Sequence, residues 1–260
     1  MNISDGQAQP FPPPRDHALL AHDRAPPSVT TPKTRGADPQ RIPKTMTDYP
    51  KRLNLGSGKL FKHDYLNVDC DPFWRPDVVA DLNRPCPPHG VAQTARFGEI
   101  RIEPGTFEEI VARDVLEHIP NLVTCMSSCL SLLAPGGHMH IIVPYDLSHG
   151  AWQDPTHVRA FNERSWTYYT EWYWYLGWQE ARFELTRLNF VRSELGQRLA
   201  GEGMDEELIL RTPRAVDAME VTLEKVLLSD KEKAYVQKYL KNQLDPPAEC
   251  FPGNPVCGYE

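Results

Sequence analysis

Leu53-Asn54-Leu55-Gly56-Ser57-Gly58 is an apolar run that ends in two glycines separated by a serine. Glycine at such a point allows a tight turn and leaves the backbone open to close approach by a ligand. The pattern is not the three-glycine fingerprint of a dinucleotide site, because Phe61 occupies the third position. Acidic residues close the next β-rich runs. Asp69 ends Tyr65 to Asp69, Asp81 ends Asp77 to Asp81 and is followed by Leu82, and Asp114 ends Glu109 to Asp114 before Val115-Leu116-Glu117-His118. A single Asp in such a place is usually a cap or turn residue. Three at the carboxyl ends of strands in an open α/β sheet converge on the edge where such sheets bind ligands. An acid after the second strand is placed to accept both hydroxyls of a ribose.

Positioning these residues requires a parallel sheet. Lys51 to Leu55, Tyr65 to Asp69, Asp77 to Asp81, Glu109 to Asp114 and His138 to Val143 read as strands, the last following the turn Ala134-Pro135-Gly136-Gly137. Leu122, Cys125, Met126, Cys129, Leu130 and Leu133 recur at helical spacing, which places Cys125 and Cys129 on a packed stripe. Phe183 to Val191 reads as a late strand. Thr212 and Pro213 predict the start of a helix with Val216, Met219, Leu223, Val226 and Leu227 on one face, and Ser229 with Glu232 predicts a capping box for another. Strands alternating with helices argue for an α/β fold with a parallel sheet covered on both faces.

Of the 25 prolines, nine fall in residues 1–47 and four in 245–260; a locked φ without an N–H opposes helix and sheet interiors. The expected organisation is a flexible arm at 1–47, a ligand-binding domain at 48–195 with an aromatic lid at 145–180, a helical extension at 196–243 and a Pro- and Cys-containing tail at 244–260. The six cysteines (70, 86, 125, 129, 250 and 257) contain no CxxC and read as reduced thiols. A small disulfide loop or metal half-site at Cys250 and Cys257 is the alternative.

Leu-Asn-Leu-Gly-Ser-Gly, Tyr-Leu-Asn-Val-Asp, Val-Val-Ala-Asp-Leu, Asp-Val-Leu-Glu-His-Ile and Leu-Leu-Ala-Pro-Gly-Gly follow one another over residues 51–145. In that order they resemble the class I S-adenosylmethionine-dependent methyltransferases. The resemblance implies a Rossmann-like fold, with a seven-stranded, mostly parallel sheet whose last strand is antiparallel, flanked by helices. It also implies S-adenosylmethionine as cofactor and S-adenosylhomocysteine as product. In such a site Leu55, Gly56, Ser57 and Gly58 would form the turn under the methionine and ribose, and Asp69 would hold the ribose hydroxyls. Asp81 and Leu82 would flank the adenine, and Asp114, Leu116 and His118 would line the wall near the sulfonium. Two departures stand out. Only ten residues separate Gly58 from Asp69, so the usual helix there must shrink to a turn or two. Asn83 to Gly105 is long and rich in Pro and Gly, and reads as a loop with no helix.

In this family the loop after the fifth strand commonly supplies substrate contacts. Here it carries Asp154-Pro155-Thr156-His157-Val158-Arg159, followed by Ser165-Trp166. The run resembles bacterial and phage methyltransferases, many of them linked to glycan or small-molecule modification. Transfer to a hydroxyl requires in-line alignment and removal of a proton. His149 and His157 are candidate bases, since imidazole titrates near neutral pH, and Asp154 could orient one of them. Asp154 could instead cap a helix starting near Pro155, with His157 in its first turn. Tyr145, Trp152, Arg159 and Trp166 are candidate substrate contacts. Asp146, Asp154, His149 and His157 could alternatively bind a divalent cation, but the favoured reading has no metal. From Trp166 to Trp178 eight of thirteen residues are aromatic, which reads as an amphipathic helix packing a lid and offering rings to an acceptor.

The formal net charge of −7 disfavours a duplex nucleic-acid substrate. The Asp/Asn-Pro-Pro-Tyr/Phe motif usual in amino-methyltransferases of DNA bases is absent from the fourth strand, which ends in Asp114-Val115-Leu116-Glu117. No stretch is apolar enough to predict a membrane span, and Met1 to Pro14 lacks the layout of a secretory signal, so a cytoplasmic location is expected. The first reading is therefore methyl transfer to a hydroxyl of a glycan or small metabolite. The rivals are N-methylation of a peptide or amine, and a non-catalytic interaction module on the same fold.

Overall fold

The computed structural model describes residues 48–85 and 90–241. The expected arm at 1–47, the tail at 244–260, and Cys86, Cys250 and Cys257 lie outside the described residues. Nine strands are formed: β1 (Arg52–Leu55), β2 (Leu66–Asp69), β3 (Val78–Val79), β4 (Gly90–Thr94), β5 (Gly98–Ile102), β6 (Phe107–Arg113), β7 (Leu133–Pro144), β8 (Ala181–Arg192) and β9 (Val216–Leu227). Seven make one sheet in the order β3-β2-β1-β6-β7-β9-β8, and β4 and β5 form a separate hairpin. Every pair from β3 to β7 is parallel, whereas β9 is antiparallel to both β7 and β8. This is the Rossmann-like methyltransferase architecture, with the last strand reversed.

Register gathers the core. Leu53 lies beside Leu66 and Ile110, and Ile110 beside Met139; all four are buried. Side chains alternate along a strand, so these residues share one face. The helix α1 (Leu122–Leu132) packs against β7 and β8, burying Leu122, Cys125, Met126, Cys129 and Leu130. Asn121 starts it by accepting from the Thr124 N–H at 3.3 Å. Both cysteines are buried in the core and outside any disulfide, where the helical spacing put them.

The other face between β1 and β2 is closed by hydrogen bonds. Asn54 and Asn67 are neighbours in register and both buried. Asn54 Nδ2 donates to Asn67 Oδ1 at 2.9 Å and to the Leu60 carbonyl at 3.0 Å. Asn67 Nδ2 donates to the carbonyls of Lys62 and Tyr65 at 2.8 and 3.0 Å, while Lys62 N–H donates back at 2.9 Å. Asp77 accepts the Asn67 N–H at 2.8 Å and two bonds from Arg96, at 2.7 and 2.8 Å. Arg96 also donates to the His63 carbonyl at 2.7 Å. The stretch from Gly56 to Tyr65 therefore contains turns only, not the turn or two of helix expected. The described residues of Asn83 to Gly105 form no helix but hold the β4–β5 hairpin, whose bend supplies Arg96.

Three expectations about the later chain are corrected. The helix expected from Thr212 and Pro213 is strand β9, which buries Val216, Met219, Val221 and Leu223 and fills the slot between β7 and β8; residues 196–243 are thus not purely helical. Two short helices precede it, α4 (Glu194–Gly201) and α5 (Glu206–Leu210), after α2 (Gly150–Gln153) and α3 (Thr167–Thr170); α6 (Asp230–Leu240) follows, with the expected Ser229–Glu232 capping box. The aromatic run is not one helix but α3 plus a 3-10 turn, Tyr173–Leu176, ended by Gly177 at φ +74°. No helix starts at Pro155: Asp154 Oδ1 accepts from Thr156 N–H at 2.8 Å in a local turn. No described helix is long and apolar enough to cross a membrane.

Arg96→Ala leaves the Asp77 carboxylate, whose side chain is 0% exposed, without its charge partner. Loss of about 3 kcal/mol of stability is expected, seen as a lower urea midpoint; an unchanged midpoint would show that the network does not hold this half of the sheet.

Candidate functional site

The parallel register brings the carboxyl ends of β1, β2, β3 and β6 to one edge: Leu55 pairs with Val68 and Ala112, and Asp69 with Val79. Gly56 and Gly58 have φ of +58° and +41°, the left-handed region that favours glycine. A Cβ on Gly56 would stand 2.3 Å from Val115 Cγ2, so Val115 fills that hollow. Gly58 is open, and its N–H donates to Asp69 Oδ2 at 2.7 Å. Asp69 Oδ1 accepts from Asp71 N–H at 2.9 Å. A carboxylate offers about four acceptor positions, so Asp69 keeps capacity for a ligand while its orientation is fixed. Ser57 N–H donates to the Val68 carbonyl at 3.0 Å, and its buried hydroxyl has no partner.

Asp114 sits just past β6 at φ +52°, with its N–H bonded to the Ile142 carbonyl at 2.9 Å. Asp visits this region at some cost, and such strain is concentrated at functional sites. Asp81 lies two residues beyond β3, and bonds from the backbone and side chain of Asn83 hold its carboxyl below the usual range. Leu82 and Leu116 are buried beside this edge. The orphaned Ser57 hydroxyl, the remaining lone pairs of Asp69 and the apolar Leu82 and Leu116 fit the methyl donor implied by the sequence resemblance.

The loop after β7 brings His157 to the same end. Its ring meets His118 edge-on at 4.5 Å between centroids, and Val158 N–H donates to the Glu117 carbonyl at 2.9 Å. His157 Nδ1 lies 2.9 Å from the Ala151 carbonyl. A carbonyl only accepts, so Nδ1 carries the proton and Nε2 has the free lone pair of the neutral ring. Thr156 Oγ1 donates to Asp154 Oδ1 at 2.7 Å and lies 2.9 Å from His118 Nδ1. Its one proton being committed to Asp154, the hydroxyl must accept from His118 Nδ1–H, which again frees Nε2. These bonds from Thr156 hold the Asp154 carboxyl below its usual range.

Glu117, between the two groups, is 1% exposed, and neither carboxylate oxygen has a hydrogen-bond partner. Burial pushes its pKa up to about 7, opposed by its own backbone N–H and by His157, with Asp114 and Asp154 adding to the rise. Sequence reasoning missed this residue. The available signal was a lone acid inside the apolar run Val115-Leu116-Glu117-His118-Ile119.

The other sequence-named residues are dispersed. His149 is exposed at the head of α2, and among the described residues no side-chain hydrogen bond or ring contact joins it to His157. Trp152 is 62% exposed. Arg159 donates to the carbonyls of Ile119 and Pro120 at 2.7 and 2.8 Å, pinning its loop to the one after β6. Tyr145 is buried and donates to Glu163 at 2.9 Å. Trp166 is buried and stacked on Phe161 at 5.5 Å. Asp146 bonds Asn162 at 3.1 Å and stands outside the Glu117–His118–His157 group. A cavity of about 780 Å³ opens between the Glu163–Trp174 segment, β8 and α6 and includes none of the strand-end acids; one of about 420 Å³ includes Gly56, Asn54 and Arg113.

A family model described as "Methyltransferase domain" matches residues 33–203. No curated protein matches the sequence. Among solved structures, the chain is similar to an S-adenosylmethionine-dependent methyltransferase from Archaeoglobus fulgidus (17% identity, 69% of this chain and 87% of that one, TM-score 0.42). It is also similar to one from Mesorhizobium loti (13%, 66% and 90%, 0.41). A third similarity is to the N-methyltransferase NodS from Bradyrhizobium japonicum, solved with S-adenosylhomocysteine (13%, 66% and 76%, 0.38).

Gly56→Ala combines a left-handed alanine, costing about 1 kcal/mol, with the collision against Val115. Added Val115→Ala should relieve the collision but not the backbone strain. Denaturation of the two single variants and the double should therefore show a coupling of about 1 kcal/mol; strict additivity would mean that the two residues do not meet.

Proposed function

The chain belongs to the methyltransferase-domain family, and on that premise we propose that it transfers the methyl group of S-adenosylmethionine to a hydroxyl of a glycan or small metabolite. The observation that carries the cofactor reading is Asp69, held by the Gly58 and Asp71 N–H groups at 2.7 and 2.9 Å at the crowded end of the parallel strands. When bound, S-adenosylmethionine supplies an electrophilic methyl group on a sulfonium. Asp69 accepts the ribose hydroxyls with its remaining lone pairs, and Gly58 leaves room beside them. Leu82 and Asp81 take the adenine. Asp114 and Leu116 form the wall toward the reacting centre, and the carboxylate favours positive charge there.

A hydroxyl must lose its proton as it is methylated. His157 supports the oxygen-directed reading, because the Ala151 carbonyl fixes its tautomer with Nε2 free. Transfer to an already neutral amine would not require that group. The glycan class draws support from exposed rings at Trp152, Tyr168 and Tyr175, which offer apolar faces to sugar rings, and from the mixed lining of the 780 Å³ cavity, where Trp166, Tyr173 and Trp174 stand with Glu163, Glu171 and Arg182.

Calorimetric titration with S-adenosylhomocysteine should show binding that Asp69→Ala weakens by about 3 kcal/mol, roughly a hundredfold, as expected for two hydrogen bonds to a carboxylate. No binding by the folded wild type would overturn the cofactor reading. In a screen of hydroxylated acceptors, His157→Ala should abolish turnover while leaving S-adenosylhomocysteine affinity intact; full turnover in that variant would favour an amine acceptor.

A further inference from the structure

We propose that Glu117, His118 and His157 form a binding site for one divalent first-row transition-metal cation. One potential ligand atom from each lies within 4.8 Å of the other two. Tetrahedral ligands about 2.0–2.2 Å from zinc stand roughly 3.3–3.6 Å apart, so closing the separations by up to about 1.5 Å through side-chain rotation completes the set. Two imidazoles and one carboxylate are a donor combination suited to zinc and its neighbours, with positions left open for other oxygens.

Two independent features point to a cation. Each ring already has one nitrogen partnered, as metal-bound histidines do. His157 Nδ1–H is held by the Ala151 carbonyl, and His118 Nδ1–H by Thr156, itself anchored on Asp154. Each Nε2 lone pair is thereby free, and such outer partners are the usual support of metal-bound histidine. Glu117 is the second feature. A side chain 1% exposed with both oxygens unpartnered is costly as a bare carboxylate, and a cation on that carboxylate removes the cost. The Val158 N–H bond to the Glu117 carbonyl holds the two contributing loops together.

The site differs from the Asp146, Asp154, His149 and His157 set weighed from the sequence: only His157 is shared. Its existence does not depend on methyl transfer, but its use rests on that reading. A cation there would stand beside Asp114 and Leu116, where it would hold an acceptor through its oxygens and lower the hydroxyl's proton affinity so that its proton passes to solvent, with His157 serving as ligand in place of direct proton acceptor. The acceptor class is then narrowed to molecules with paired oxygens, such as a sugar diol.

The test is calorimetric titration of zinc chloride alone into the chelator-treated full chain, without donor or acceptor. One zinc per chain is expected, with affinity falling more than about tenfold in Glu117→Gln, His118→Ala and His157→Ala. The histidine side chains are only half-buried, so those variants keep the test decisive if Glu117→Gln fails to fold; melting curves without zinc report folding. No zinc binding by the folded wild type, or affinity unchanged in both histidine variants, overturns the site. Asp69→Ala should keep full zinc affinity while losing S-adenosylhomocysteine. Wild-type chain that binds zinc but not S-adenosylhomocysteine sinks the methyl-transfer reading alone, and the converse sinks the metal site alone.

Discussion

The buried bonding among Asn54, Asn67, Asp77 and Arg96 is the constraint on which this half of the molecule depends. A parallel strand pair needs a crossover, and crossovers usually bury a helix against the sheet. Here the return from β1 to β2 is too short for one. Its carbonyls at Leu60, Lys62, His63 and Tyr65 would be left unsatisfied against the sheet, which is expensive. Two asparagines and an arginine, each with several donors, answer those carbonyls one by one. The same side chains bind β1 to β2 and β2 to Asp77, so the short connection also sets how Gly58 meets Asp69.

The end of β6 is the second organising segment, because it touches both sides of the proposed reaction. Val115 occupies the hollow of Gly56, Asp114 turns the chain through a left-handed residue, and Glu117 and His118 follow within four positions. The loop after β7 is tied to it by Val158 and Arg159. Donor-side and acceptor-side groups are thus fixed to one rigid strand end rather than to separate mobile loops. In-line transfer is sensitive to sub-ångström misplacement, and a shared anchor reduces the independent motions that could cause it.

What the sequence revealed follows the same division between local and distant causes. The parallel strands were legible because each is a short apolar run closed by an acid or glycine, and Cys125 and Cys129 because their helical spacing is local. β9 was not. Val216, Met219, Leu223 and Val226 fit helical spacing, while Met219, Val221 and Leu223 fit alternation, and nothing local chooses between them. The choice is made by the open hydrogen-bonding edges of β7 and β8, which offer β9 partners on both sides and suit its β-branched Val221 and Thr222. Nothing local marks Asn54 and Asn67 as buried, since their burial depends on a loop and on Arg96 from a hairpin 19 residues beyond Asp77. Asp154 was expected to orient a histidine or to cap a helix near Pro155; it closes a local turn instead, because the backbone after it extends to carry His157 back to Glu117.

The acidic strand-end edge has a consequence for turnover on the methyl-transfer reading. Asp69, Asp71 and Asp81 act together at this edge. Burial raises the Cys70 thiol, and after burial it is these carboxylates that push it further up, a direct sign of negative potential. Asp114 extends that potential toward the reacting end. Such an edge favours a ligand carrying positive charge over the same ligand without it. Methyl transfer converts a sulfonium into a neutral thioether, so on the proposed function the edge would favour the donor over the spent product. The difference lies in the charge term alone and should shrink as salt screens it. The net charge of −7, which disfavours a duplex nucleic-acid substrate, is consistent with a cationic donor.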